Sequence, residues 1–207
     1  MAIAQRYEAI LDSAADVFGR RGYHPATIRE IARAAGLSLA GLYHYVGGKE
    51  EVLFLVLDRT LDALITALDR ALRAAPEPEA KLRALVQTHL EFTFRHPQAM
   101  KVVNRDWEQV AGPRRAEIAL KRQAYLTRGL AVLRALDPHA RAGDELLSAI
   151  TLLVGMLNGI ARPPFVRSAD DAQGLAHQVG ALFLHGFLER PGGAAHAAAL
   201  HGGDHAR

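Results

Sequence analysis

Residues 27 to 49 read TIREIARAAGLSLAGLYHYVGGK, and side chains suited to a polyanion are dense there. Thr27, Ser38, Tyr43, Tyr45 and Lys49 are donors able to hold phosphate oxygens, and Arg29 adds a guanidinium. Leu39 and Ala40 suit a thymine methyl, and His44 can donate or accept at a base edge. Ala40 and Gly41 are small, so the backbone there can approach a duplex closely. Bond-making chemistry has no comparable signal. There is no GxSxG, HExxH, GxGxxG or P-loop, and His89 with Glu91 does not make a zincin pair. The expectation is a protein that is not an enzyme, with no cofactor and no metal site.

Two short helices must position these groups. Thr27 followed three residues on by Glu30 is a capping box, and Ile28, Ile31, Ala32 and Ala35 follow at helical spacing. Gly36 stops the first helix, because a left-handed residue after the C-cap costs glycine nothing. Leu37 plugs the corner, and Ser38 caps a second helix carrying Leu39 to Tyr45, ended by Gly47 and Gly48. A helix, a tight glycine turn and a second short helix form a helix-turn-helix, whose second helix enters the major groove of DNA. The N-termini at Ser38 and Lys49 add backbone N–H groups for phosphates.

The pattern TxxxIAxxAGLSxxxLYxYxxxK is similar to the signature of TetR-family transcriptional repressors. Thr27, Ile31, Ala32, Ala35, Gly36, Leu37, Ser38, Leu42, Tyr43, Tyr45 and Lys49 all fall in register. The resemblance covers roughly the first quarter of the chain. Val46 stands where the family often has Phe, and Gly47-Gly48 replaces a more usual pair, which implies a looser turn before Lys49. The resemblance implies a homodimer on a palindromic double-stranded operator and a small-molecule effector in the C-terminal domain. The alternative is a helical protein–protein adaptor that does not bind DNA.

The rest of the chain reads as all-α, about nine helices in total. Residues 1–59 form the three-helix head, residues 60–190 a ligand-binding and dimerisation domain, and residues 191–207 a tail too rich in Gly, Ala and His to pack. His196, His201, Asp204 and His205 there could suggest a metal, but the flanking Gly residues and the lack of apolar anchors make a disordered end the expectation. The first helix, near 4–20, buries Tyr7, Ile10, Leu11, Ala14 and Phe18. A long helix from Glu50 to about Ala75 belongs to both domains and is the expected lever between them. Helices follow near 79–95, 98–110 and 114–136, separated by prolines. The helix near 144–160 is apolar almost all round, with Gly155 and Gly159 four apart. With the last helix it suits a four-helix bundle between two subunits.

Charge alone does not argue for DNA. The chain has 207 residues, formal net charge +3 and pI about 9.4. Up to residue 59, Arg6, Arg20, Arg21, Arg29, Arg33, Lys49 and Arg59 are balanced by Glu8, Asp12, Asp16, Glu30, Glu50, Glu51 and Asp58. Placement, not bulk charge, carries the reading. Cys is absent, so there is neither disulfide nor thiolate chemistry. No signal pattern opens the chain, and no apolar run reaches the roughly 20 residues that span a bilayer, so the expectation is a cytoplasmic protein without membrane contact.

For the effector, Leu61, Phe92, Val103, Trp107, Tyr125, Met156 and Asn158 are expected to line a cavity between helices. Arg105, Arg114, Arg115, Lys121, Arg122 and Arg128 add a basic zone beside these apolar faces. That pairing suits an amphipathic anion such as an acyl-CoA thioester, a ligand class that the resemblance also implies.

Overall fold

The computed structural model describes residues 2–136, 143–160 and 169–188. Among these, nine α-helices and one 3-10 turn account for the architecture. They are α1 (Ala2–Arg21), α2 (Ile28–Ala34), α3 (Leu39–Tyr43), α4 (Lys49–Ala74), α5 (Pro78–Arg95), α6 (Pro97–Arg105), the turn Trp107–Gln109, α7 (Gly112–Leu136), α8 (Gly143–Ile160) and α9 (Ala169–Leu188). The expected residues 98–110 do not form one helix. The chain leaves α6 at Asp106, whose buried carboxylate binds the guanidinium of Arg105, and continues as the 3-10 turn. The tail readings at 191–207 and the proline breaks at Pro138 and Pro163 lie outside the described residues.

Two apolar clusters fill the molecule. The first takes Ile10, Leu11, Ala14 and Phe18 from α1, Ile31 and Ala32 from α2, Leu42 from α3 and the leading turns of α4. It runs past residue 59 to Leu61 and gathers Val102, Val103, Val110 and Ile118 as well. So α6 and the start of α7 share the head's core. The second cluster joins the far half of α4 to α5, α7, α8 and α9. α4 serves both because its stripe Leu53, Leu57, Leu61, Leu64, Leu68 stays on one face for its whole length.

Polar contacts reinforce this junction. Arg105 Nη2 donates to the carbonyl of Phe18 at 2.6 Å, tying α6 to the end of α1. At Gly19 a Cβ would lie 2.6 Å from Gln98 Cβ and 2.8 Å from its Cα, so α1 and α6 meet at backbone distance and only glycine fits. Arg59 of α4 spans Glu8 at 2.6 Å and Asp12 at 2.7 Å, both on α1. Along α4 and α7 the ion pairs repeat: Glu51 with Arg114, Asp58 and Asp62 with Lys121, Asp69 with Arg128. The three cations are seven residues apart, two helical turns, so they stay on the face of α7 that meets α4.

Candidate functional site

The turn between α2 and α3 is closed by local bonds that the sequence specifies. Thr27 Oγ1 accepts from Glu30 N at 3.2 Å while Glu30 Oε2 accepts from Thr27 N at 2.9 Å. After α2, Gly36 has φ 66°, its N–H donates to Arg33 O, and Leu37 N donates to Ala32 O. That pair of bonds is a Schellman motif, and it needs the left-handed residue. Ser38 Oγ then accepts from Gly41 N at 3.0 Å. A Cβ at Gly41 would sit 3.2 Å from that same oxygen, so glycine there keeps the cap open.

Burial decides which side of α3 faces outward. Leu42 is fully buried, and Val46 is nearly so. Ser38, Ala40, Tyr43 and His44 are exposed, while Leu39, Gly41 and Tyr45 are half-buried. Thr27 and Arg29 are exposed beside them. α3 ends at Tyr43, two residues before the expected Tyr45, as the chain turns to bury Val46. The turn that follows is tied rather than loose, since Gly47 N donates to the Glu51 carboxylate. Arg29 and Arg33, one helical turn apart, stand outside the ion pairs of the described residues.

Lys49 requires a correction. Its ammonium donates to the carbonyls of Tyr23, His24 and Ala26 at 3.0, 3.3 and 3.0 Å and lies 4.4 Å from the Tyr23 ring centroid. An ammonium has three hydrogens, and all three are committed. The side chain holds the α1–α2 loop to α4 instead of a phosphate. The partners lie more than twenty residues away in sequence, so no local pattern announces them.

The seven expected ligand-lining residues do not meet in one cavity. Leu61 and Val103 are sealed in the head cluster. Trp107 is half-buried, and the guanidiniums of Arg115 and Arg122 lie over its ring at 5.7 and 4.7 Å. Met156 is exposed on the outer face of α8 with Leu147 and Leu152. Phe92 is half-buried and lines two surface clefts of about 500 and 530 Å³, which no other member of the set reaches. A helical apolar stripe looks the same whether it faces a neighbour or a void, and here neighbours took most of it.

Tyr125 and Asn158 do come together, through His89. Asn104 Nδ2 donates to Asn158 Oδ1 at 2.8 Å, His89 Nε2 lies 3.1 Å from that oxygen, and the Tyr125 hydroxyl lies 2.8 Å from His89 Nδ1. An amide oxygen only accepts, so Nε2 carries the hydrogen and Nδ1 accepts from Tyr125. Burial lowers the His89 pKa to about 4, with the Asn158 bond opposing it, and burial raises that of Tyr125. The ring is therefore neutral near pH 7. The chain of bonds runs from exposed Asn104 inward to a fully buried pair. His89 and Asn104 are functional candidates the sequence reading missed. The signal was a histidine on the apolar face of α5, which must find polar partners when buried.

The expected basic zone is also reassigned. Arg114, Lys121 and Arg128 pair with α4 carboxylates, Arg105 pairs with Asp106, and Arg122 donates to Val103 O at 2.9 Å. Only Arg115 of the six is left to its contact with Trp107. These cations fasten α6 and α7 and do not form an anion cradle.

The outer faces of α8 and α9 are the opposite case. Leu152 is 72% exposed, Leu182 73%, Leu147 46% and Met156 39%. A Cβ at Gly155 or Gly159 would meet nothing within 4 Å. An apolar face with glycine notches is what a second helix pair needs for close approach. Among the described residues no helix is long and apolar enough to cross a membrane.

Comparisons with known proteins agree with this geometry. Residues 10–56 match the model of the bacterial regulatory proteins, tetR family, and residues 75–162 match that of the tetracyclin repressor-like C-terminal domain. The chain is 34% identical over 99 residues to the HTH-type transcriptional activator FasR of Mycolicibacterium smegmatis, covering 48% of this chain and 45% of FasR. Thus the match spans about half the length of the curated relatives. A TetR-family transcriptional regulator from Bordetella parapertussis superposes with TM-score 0.80 at 27% identity, over 88% of this chain and 95% of that one. The crystal structure of AibR in complex with isovaleryl coenzyme A and operator DNA superposes with TM-score 0.73 at 23% identity, over 86% and 98%.

Proposed function

Because the chain belongs to the TetR family of transcriptional regulators, we propose that it is a homodimeric, non-catalytic, effector-released repressor of a palindromic operator. One observation carries this reading: a fully capped helix-turn-helix presents Ser38, Ala40, Tyr43 and His44 outward while Leu42 and Val46 anchor it from behind. Thr27, Arg29, Ser38, Tyr43 and Tyr45 hold phosphates, and Leu39, Ala40, Gly41 and His44 face base edges. Two such helices in a dimer meet successive major grooves about 34–36 Å apart. The dimer forms through α8 and α9, whose exposed leucines are covered by their counterparts.

The effector acts from the C-terminal domain and opposes operator binding by reciprocal coupling, typically about 1–3 kcal/mol. Its polar end approaches Asn104 and Asn158, the exposed end of the His89–Tyr125 chain. An acyl-CoA thioester remains our choice of effector class. Support for it comes from the isovaleryl coenzyme A in the AibR complex. The α7 cations lend it none. A mobility shift with DNA flanking the gene tests the whole reading. A specific shift, reversed by isovaleryl coenzyme A, is expected. A protein that binds no flanking duplex, or one whose shift survives Tyr43→Ala with Arg29→Ala, contradicts it.

A further inference from the structure

The outward face of α3 carries an unusual restriction. From Leu37 to Gly48 there is no Arg, Lys, Asn, Gln, Asp or Glu. Bidentate recognition of guanine needs Arg or Lys, and that of adenine needs Asn or Gln. Accepting from cytosine N4 needs a carboxylate. None of these pairings is open to this helix. What it does present near its N-terminus, where a recognition helix touches base edges, is the Ala40 methyl, exposed at the second helical position. Leu39, half-buried, flanks it. Gly41 follows with no side chain, so on that side no longer group covers the Ala40 methyl, while exposed Tyr43 and His44 lie one turn further along the same face.

The only base-edge feature in the major groove that an alanine methyl can recognise is the C5-methyl group of a pyrimidine. We infer that this helix reads its half-site by a methyl–methyl contact, with Ala40 as the specificity-determining residue and a 5-methylpyrimidine as the recognised chemistry. The inference rests on the operator-binding reading above. It adds that the methyl, not the A·T pair, is what Ala40 detects. Cytosine methylated at C5 then substitutes for thymine at that position, and uracil does not.

The test uses the full-length dimer and a duplex selected from a random-sequence library by the protein itself. Each thymine of the selected site is replaced in turn by uracil, which removes one methyl and leaves every hydrogen-bonding group in place. We expect one position per half-site to lose about fourfold in affinity, the worth of one buried methyl. At that position 5-methylcytosine should exceed cytosine by a similar factor. Ala40→Gly and Ala40→Ser should each abolish the thymine-over-uracil preference. Because each variant is compared with itself on two duplexes, any loss of helix stability cancels. Equal affinity for thymine and uracil at every position overturns the inference while leaving operator binding intact. So does a preference that survives both Ala40 variants. Failure to select any duplex overturns the operator reading and the inference together.

Discussion

The cations of α2 and those of α7 are the same residue types on two helix surfaces, and they do opposite things. Arg29 and Arg33 are exposed and stand outside the ion pairs of the described residues, whereas Arg114, Lys121 and Arg128 each meet a carboxylate of α4. The difference is what lies opposite. α7 runs against the acidic side of α4, where Glu51, Asp58, Asp62 and Asp69 recur, while Arg29 and Arg33 on α2 face outward among the described residues. A positive residue is a ligand site only when the fold has not already given it a partner.

In the proposed dimer this contrast would break most severely, since the two heads would serve a palindromic operator together. Leu152→Glu with Leu182→Glu should yield monomers by analytical ultracentrifugation and drop specific DNA affinity toward the non-specific level, roughly a thousandfold. A dimer that persists in this variant removes α8 and α9 from the interface.

Acid comes next in size. His89 has a folded pKa of about 4, below its ordinary 6.5. The unfolded chain therefore binds the extra proton first, so stability is complete above pH 6.5 and falls as pH drops toward 4, by about 3 kcal/mol in total. Urea denaturation at several pH values should show this slope in the wild type and a flatter one in His89→Gln. Tyr125→Phe leaves His89 Nδ1 without its donor and should cost about 1–3 kcal/mol in the same measurement at pH 7.

The contrast itself is sharpened by a matched pair. Arg29→Met should weaken operator binding by about 1–3 kcal/mol and reduce the salt slope, with the unfolding midpoint unchanged. Lys121→Met should do the reverse. Its pair with Asp58 and Asp62 is partly solvated, so the stability loss is about 1 kcal/mol or less. Operator affinity without effector should hold, as should affinity for isovaleryl coenzyme A. If Lys121→Met selectively lost that thioester, the basic zone would regain its place as an anion site.

How much could be read in advance follows the range of the interaction. Thr27 with Glu30, Gly36 and Ser38 act within three or four residues, so the helix-turn-helix and its caps stood plainly in the sequence. Helix order was also legible, because prolines and glycines mark the breaks, except where buried Asp106 ended α6 early. The carbonyl partners of Lys49 and the carboxylate partner of Arg128 lie 23 to 59 residues away, and no local pattern encodes them. Leu61, Val103 and Met156 failed as cavity residues for a related reason. One stripe of apolar side chains serves a sealed core, a void or a subunit contact equally well, and only the neighbouring helices choose among these.

The heptad of ion pairs along α4 and α7 has a mechanical corollary. Linked at three levels, the two helices are tied along much of their shared length, so a shift of one would tend to carry the other. A disturbance near Tyr125 would then be passed along α4 toward its far end, where the helix begins. Lys49, whose ammonium grips the loop before α2, sits at that far end.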